Sequence, residues 1–414
     1  MAQPDEDLGA IRVDDLPAAR RSLRIAVVTE TYPPEVNGVA LTLQRVVEGL
    51  RERHHDVQLI RPRQHAEELA ITTARFEEVL MRGVPIPRYP SLKLGLPARR
   101  ALVKLWSVQR PDVVQIATEG PLGWSALRAA ARLRLPVASD FRTNFHAYSR
   151  HYGVGWLSRP IMGYLRKFHN RTAATMVPTE ALKRDLEGSG FKRLVVVTRG
   201  VDTRRFDPAR RSEALRAAWG AAPQEPVALY VGRLAPEKNL ATLIDAMRAM
   251  QAARPALRAV IVGDGPERAA LAAALPEAHF AGARHGDDLA AHYASADLFV
   301  FPSLTETFGN VTTEAMASGL AVIAFDHAAA GQLIRDRVNG IIAPAGDSQA
   351  FVARATRLAL DHDAVARLGA AARASALEMG WERIVMQVES VLLSAMRSPA
   401  ERPVAATTVR RVPT

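Results

Sequence analysis

The sequence predicts an α/β protein of two successive lobes, each a parallel sheet wrapped by helices. Three observations predict it. Short β-branched apolar runs alternate with stretches of helical apolar spacing along most of the chain. The alternation pauses near residue 200 and restarts near residue 227. The 414 residues, 48% of them hydrophobic, are enough for two cores at roughly 100–200 residues per domain.

The elements follow in order. Arg24–Val28 reads as the first strand, followed by a turn-rich loop with Pro33, Pro34, Asn37 and Gly38. Val39–Arg53 has helical spacing, with Leu43, Val46, Val47 and Leu50 on one face. Strands follow at Val57–Ile60, Asp112–Ile116, Pro136–Ser139, Ala174–Val177 and Leu194–Val197. The second series has strands at Val227–Val231, Ala259–Val262, Asp297–Val300 and Ala321–Ala324, with a helix at Leu240–Met250. Strands alternating with helices imply right-handed βαβ units. In such open sheets ligands sit beyond the carboxyl ends of the strands, so the gap between the lobes is the expected site. The expected boundaries are a disordered extension 1–22, a first lobe 23–199, a second lobe 200–380, a closing helix 381–398 and a disordered tail 399–414.

Composition removes several function classes. There is no cysteine, which excludes disulfides and thiolate metal sites. Met1–Ser22 lacks a basic start and an apolar core, so no secretory signal is expected there. No run of 18 apolar residues is present, so no membrane-spanning helix is expected. The net charge is +11 and is one-sided. Residues 1–200 hold 31 Lys+Arg against 20 Asp+Glu, whereas residues 201–414 hold 23 against 23. Such a field fits an anionic membrane surface, or simply a solvated arginine-rich face. Nucleic acid is not expected, because no nucleic-acid motif accompanies the charge.

The block Pro302–Gly319 carries the strongest chemical signal. Glu306 ends a loop after a buried strand, and Gly309 lets backbone approach a ligand closely. A helix then starts, with free N–H groups and a positive end suited to a diphosphate. Glu314, one turn in, can reach over that end to accept hydrogen bonds from a sugar diol; an ordinary first-turn glutamate is the plainer reading. Gly232-Arg233 and Glu237-Lys238 lie between a strand and a helix, where Arg233 and Lys238 can converge on one anion. The plainer reading is a surface ion pair with Glu237. Gly38 precedes a helix and offers a second phosphate contact. Gly263-Asp-Gly-Pro266 lacks the third glycine of a dinucleotide fingerprint and reads as a tight structural turn. Asp287-Asp288 reads as a helix cap.

Together these motifs resemble the family 4 retaining glycosyltransferases of the GT-B fold, which have two Rossmann-like domains with facing parallel sheets and an interdomain cleft. The resemblance spans about residues 23–395 and rests on Gly200-Val-Asp202 with Phe206, Gly232-Arg233 with Glu237-Lys238, Gly263–Pro266 and the Glu306/Glu314 pair. Arg199-Gly-Val-Asp202, Arg233–Lys238 and Ala281–Arg284 are especially similar to bacterial GDP-mannose-dependent α-mannosyltransferases, with sulfoquinovosyl-diacylglycerol synthases next.

The resemblance implies roles. Arg233 and Lys238 neutralise the leaving diphosphate, and Glu306 faces the donor sugar. Backbone amides of Phe308, Gly309, Asn310 and Val311 hold sugar hydroxyls and phosphate, and Glu314 binds the ribose. Arg284 lines the base pocket, Glu119 lines the acceptor side, and the helix Trp381–Met396 crosses back onto the first lobe. The donor is a nucleotide-sugar and the acceptor a lipid or glycan. No cofactor and no metal are implied. The expected location is cytoplasmic, peripheral at the inner face of the membrane.

Two departures stand out. Where many relatives place a histidine near the donor sugar, this sequence has Arg142, and His146 follows four residues later. Asp326–Gln332 carries alanines and Gln332 where relatives have paired glycines and a carboxylate, which leaves the sugar open. UDP-sugar-dependent glycolipid synthesis, or non-catalytic sugar-nucleotide binding, are the alternatives. The basic-apolar stretches 89–110 and 156–171 are candidate membrane patches, or amphipathic helices packed on the sheet. The segment Arg199–Phe206 is the expected hinge.

Overall fold

The computed structural model describes residues 22–35, 37–86, 89–142 and 158–397. The expected extension 1–21 and tail 399–414, with His146, Trp156 and Leu157, lie outside the described residues.

The first lobe holds β1 (Arg24–Val28), β2 (Asp56–Pro62), β3 (Thr72–Thr73), β4 (Phe76–Met81), a hairpin of β5 (Gly83–Ile86) and β6 (Tyr89–Gly95), β7 (Val113–Ile116), β8 (Val137–Asp140), β9 (Ala174–Val177) and β10 (Leu194–Val196). Its main sheet runs β10-β9-β8-β7-β1-β2-β4-β3. All its pairings are parallel except β3 with β4. The second lobe holds β11 (Val227–Val231), β12 (Arg258–Val262), β13 (His279–Gly282), β14 (Leu298–Phe301), β15 (Ala321–Phe325) and β16 (Ile341–Ala343), in the order β13-β12-β11-β14-β15-β16. This second sheet is wholly parallel.

The physical cause is the apolar character of the central strands. Every residue of β11, β14 and β15 is buried, as helices covering both faces require. In both lobes the central strand, β1 or β11, is flanked by strands that follow it later in the chain, so the direction of winding reverses there. This reversal opens a crevice at the carboxyl ends of the strands.

The chain crosses between the lobes twice, and the crossings run side by side. The Val201 N–H donates to the Met379 carbonyl at 3.0 Å, and Val201 pairs with Gly380 as a parallel bridge. The helix Trp381–Arg397 then lies on the first lobe, burying Ile384, Val385, Val388, Val391, Leu392 and Ala395. Glu389 of that helix accepts from Arg53 Nε at 2.8 Å and meets His55 Nε2 at 2.9 Å.

Both candidate membrane patches shrink on folding. Leu102 and Trp106 are fully buried, and Trp106 donates to Gln58 at 3.0 Å. Leu165 and Phe168 are likewise core residues. Leu94 and Leu96 stay exposed beside Arg99, Arg100 and Lys104, as does Tyr164 beside Arg166 and Lys167. Tyr89–Gly95 forms strand β6 and not a helix, while the helix Arg99–Val108 and the helix Ser158–His169 bury their apolar face on the sheet, leaving the other face for another partner.

Candidate active site

Two helices from opposite lobes point their N-termini at one gap. In the first lobe, Asn37 caps the helix Gly38–Glu52. Its Oδ1 accepts from the Val39 and Ala40 N–H groups at 3.1 and 2.9 Å. Thr31 fixes Asn37 in turn, accepting from its Nδ2 at 2.7 Å. In the second lobe, the chain leaves β14, turns at Gly309 and enters the helix Asn310–Ala317. Gly309 has φ +94°, a left-handed conformation that glycine adopts without the steric cost of a Cβ. The lobes meet closely here: a Cβ built on Gly38 would stand 3.6 Å from Asn310 Nδ2.

The loop after β11 brings the cations. Gly263 and Gly265, with φ +143° and +156°, lie under this loop. A Cβ at Gly263 would fall 1.9 Å from the Gly232 carbonyl oxygen, and one at Gly265 would fall 2.2 Å from that of Leu234. The Gly263–Pro266 segment is therefore the structural turn expected from sequence, and its work is to seat Arg233. The following turn is tied to the Glu306 loop. Thr305 donates to the Glu237 carbonyl at 2.9 Å, and Asn239 donates to the Pro302 carbonyl at 3.1 Å.

Each cation meets a carboxylate. Lys238 donates to Glu306, which also accepts from the Ser303 hydroxyl at 2.9 Å. Burial pushes the Glu306 carboxyl upward. The Lys238 charge and hydrogen bond, the Ser303 hydroxyl and the Arg199 charge outweigh that and hold it below the usual carboxylate range. Arg233 is exposed and pairs with Glu237, which is buried. The plainer reading of Arg233 is thus present in this structure, while Lys238 turns to Glu306 instead. Lys238 reaches Glu306 beside the Gly309 turn, and Arg233 lies on the same loop, held by Glu237.

Glu314 lies inside the helix Asn310–Ala317, and its hydrogen bond goes to a tyrosine. The Tyr293 hydroxyl donates to Glu314 Oε2 at 3.0 Å. Burial pushes the Glu314 carboxyl up to about 7, against a smaller lowering by the Tyr293 hydrogen bond. Tyr293 lies on the helix Gly286–Ala294, and Asp288 of that helix pairs with Arg284 at 3.2 Å. Arg284 also donates to the Ala281 carbonyl at 2.9 Å. Asp287 and Asp288 occupy the first turn of this helix. The cap position is His285, which makes no side-chain cap, so the expected aspartate cap is corrected.

Two of the expected residues turn their side chains away from this constellation. Arg142 reaches the edge of the cleft, but its guanidinium pairs with Asp140 at 3.2 Å. His146 lies outside the described residues. The Glu119 carboxylate turns inward to His169 Nε2 at 3.1 Å and is 6% exposed, so it does not project toward an acceptor. The Glu119 loop follows β7, and the buried imidazole of His169 captures the Glu119 side chain.

Sequence reasoning read Arg199 as part of a hinge and of the Arg199-Gly-Val-Asp202 motif, with no role in the cleft. The structure puts its guanidinium in the cleft, 3.3 Å from Asn310 Oδ1 and over the Phe308 ring at 5.7 Å. No periodicity or motif marks this. It follows from the course of the linker.

Comparison with known proteins matches both halves of this arrangement. Residues 36–205 match the family described as Glycosyltransferase Family 4, and residues 225–361 match Glycosyl transferases group 1. A GDP-mannose-dependent alpha-mannosyltransferase of Mycobacterium tuberculosis is 38% identical over 333 residues, covering 78% of this chain and 85% of that protein. The chain belongs to glycosyltransferase family 4. It is a hexosyltransferase by that membership. A sulfoquinovosyl transferase of Arabidopsis thaliana is 29% identical, covering 90% of this chain and 74% of that protein. A solved Anabaena protein in complex with UDP and glucose superposes with TM-score 0.70 at 20% identity, covering 90% of this chain and all of that one. The fold of this glycosyltransferase is accordingly GT-B.

Proposed function

We propose that this glycosyltransferase moves mannose from GDP-mannose to a lipid or membrane-associated glycan, with retention of configuration and without a metal. The observation that carries the proposal is Lys238 paired with Glu306 beside the Gly309 turn, where helix N-termini from opposite lobes approach each other, with Arg233 on the Lys238 loop. The GDP-mannose-dependent relative supports the choice of donor.

In this reading the donor diphosphate competes with Glu237 for Arg233 and with Glu306 for Lys238. The two cations and the helix end at Gly309 stabilise the charge that develops as the bond from sugar C1 to phosphate oxygen breaks. Glu306, released from Lys238, faces the sugar. The acceptor hydroxyl attacks C1 on the face the diphosphate leaves, and a departing phosphate oxygen takes its proton. Arg233 and Lys238 supply the cationic charge that a metal supplies elsewhere. Closure of the lobes excludes water.

The acceptor side of the proposal rests on the first lobe. A cavity of about 900 Å³ lies between the β4–β6 region and the helix Arg99–Val108. Met81, Leu96, Pro97 and Val103 form its apolar lining, and Arg82, Arg99, Arg100 and Arg132 its basic rim. Such a surface suits an acidic lipid headgroup with its chain and fits a peripheral position at the inner face of the membrane. Among the described residues no helix is long and apolar enough to cross a membrane.

The test is nucleotide release from GDP-mannose, UDP-glucose, UDP-galactose and UDP-sulfoquinovose, with and without lipid extract. GDP release that requires the extract and survives EDTA is expected. Turnover only with UDP-sugars would overturn the donor, and strict need for a divalent ion would overturn the metal-free mechanism. Equal binding to neutral and anionic vesicles would remove electrostatic docking.

A further inference from the structure

Arg199 is buried, 8% exposed, at the last position of the first lobe before the chain crosses at Gly200–Val201. Three contacts with described residues hold its guanidinium beside a helix end of the first lobe. Nη1 is 3.3 Å from Asn310 Oδ1, the first residue of the helix Asn310–Ala317. The same nitrogen is 4.0 Å from a Cβ built on Gly38, the first residue of the helix Gly38–Glu52. The guanidinium lies over Phe308, and Nη2 is 3.5 Å from the Arg142 carbonyl oxygen. The charge is therefore held where two helix N-termini from opposite lobes meet.

That placement opposes the ordinary preference. A helix N-terminus carries about +0.5 of a charge and favours anions, not cations. Two such ends meet a buried guanidinium whose field the Glu306 carboxylate only partly offsets, and a bound dianion would add to that compensation. Cleft and linker also share a mechanical connection. The residues after Arg199 run against Met379–Gly380, so a ligand pulling on Arg199 pulls on both crossings of the chain.

We infer that Arg199 is a further donor-binding residue, contacting the diphosphate of the nucleotide-sugar from the interlobe linker. The inference rests on the proposed nucleotide-sugar reading of the site. It assigns Arg199 to the phosphates, not to the base or ribose, which lie on the Glu314 side.

The test is titration calorimetry of GDP and GMP against the wild type, Arg199→Ala, Arg199→Lys and Arg199→Gln, with melting curves for each. The wild type is expected to prefer GDP over GMP. Arg199→Ala should weaken GDP binding on the order of tenfold while leaving GMP within about threefold, and Arg199→Lys should recover part of the loss because charge returns without the fork. If Arg199→Ala does not fold, Arg199→Gln removes the charge while keeping a donor toward Asn310, and the same ratio is read from it. An unchanged GDP-to-GMP ratio, or an equal loss of both ligands, overturns the inference. A wild type that binds no nucleoside diphosphate overturns the donor reading beneath it.

Discussion

Lys238 donates its ammonium to the Glu306 carboxylate, and neither side chain is more than 17% exposed. Part of the proposed catalytic charge is thus locked in a buried pair. This cation is coupled to folding, because its truncation leaves a buried carboxylate without its counter-charge.

Lys238→Met should therefore lose both turnover and stability at neutral pH. The expected stability loss is about 3 kcal/mol, measured by denaturant unfolding. Turnover should fall on the order of 10²–10³-fold. The double variant Lys238→Met with Glu306→Gln should regain stability and not turnover. Wild-type stability from this pair is present above the ordinary carboxylate pKa and disappears as pH falls through the lowered value of Glu306.

Glu314 has the opposite sign. Its carboxyl is raised to about 7 from the ordinary 4.5, so the folded state holds the proton more tightly than the unfolded chain. Folding stability should fall as pH rises from about 4.5 through 7, by roughly 3 kcal/mol at most. Glu314→Gln should flatten that slope in unfolding measured at pH 5 and pH 8. If the ionised carboxylate holds ribose, the same variant should lose the rise in GDP affinity through pH 7 that the wild type shows.

The closing helix is anchored by Glu389, which burial pushes upward and the Arg53 and His55 contacts pull below the usual range on balance. Glu389→Ala should cost about 3 kcal/mol and speed hydrogen exchange across Trp381–Arg397 ahead of the rest of the chain. Uniform exchange across both lobes would show that this helix is not a separate cooperative unit.

Gly263→Ala tests how the Arg233 loop is seated. The new methyl would meet the Gly232 carbonyl in a backbone conformation that L-residues rarely adopt. Turnover should drop more than tenfold at temperatures where the variant is folded, because a misplacement of about 1 Å costs on that order or more. Gly369→Ala is the control, since its methyl would fall 2.3 Å from the Gly319 carbonyl oxygen, away from Arg233. It should lower the melting temperature without a matching loss of turnover.

Much of the fold was legible because the central strands are short apolar runs between helices, as β1, β11 and β15 illustrate. The strands that escaped were polar or brief. Phe76–Met81 carries two glutamates, and His279–Gly282 and Ile341–Ala343 span four and three residues. Each is specified by a neighbour to pair with, which local pattern does not encode. The candidate loops Gly232–Lys238 and Glu306–Glu314 could be read from sequence because each is one continuous stretch, and the structure brings them together through Lys238 and Glu306. Glu119 and Arg142 were expected to face substrate, but the structure pairs Glu119 with His169, distant in sequence, and Arg142 with Asp140 beside it.

The sequence by itself determined the two α/β lobes, their junction near residue 200, and the loops that carry Arg233, Lys238, Glu306 and Glu314, because apolar period and loop chemistry are local properties of the chain. Only the tertiary structure decided which charges neutralise one another and which helix ends oppose. Lys238 with Glu306 and Arg199 with Asn310 are joined across 68 and 111 positions. Such partnerships depend on distance through space, and a charge senses its neighbour through the intervening medium, however far apart the two stand along the backbone.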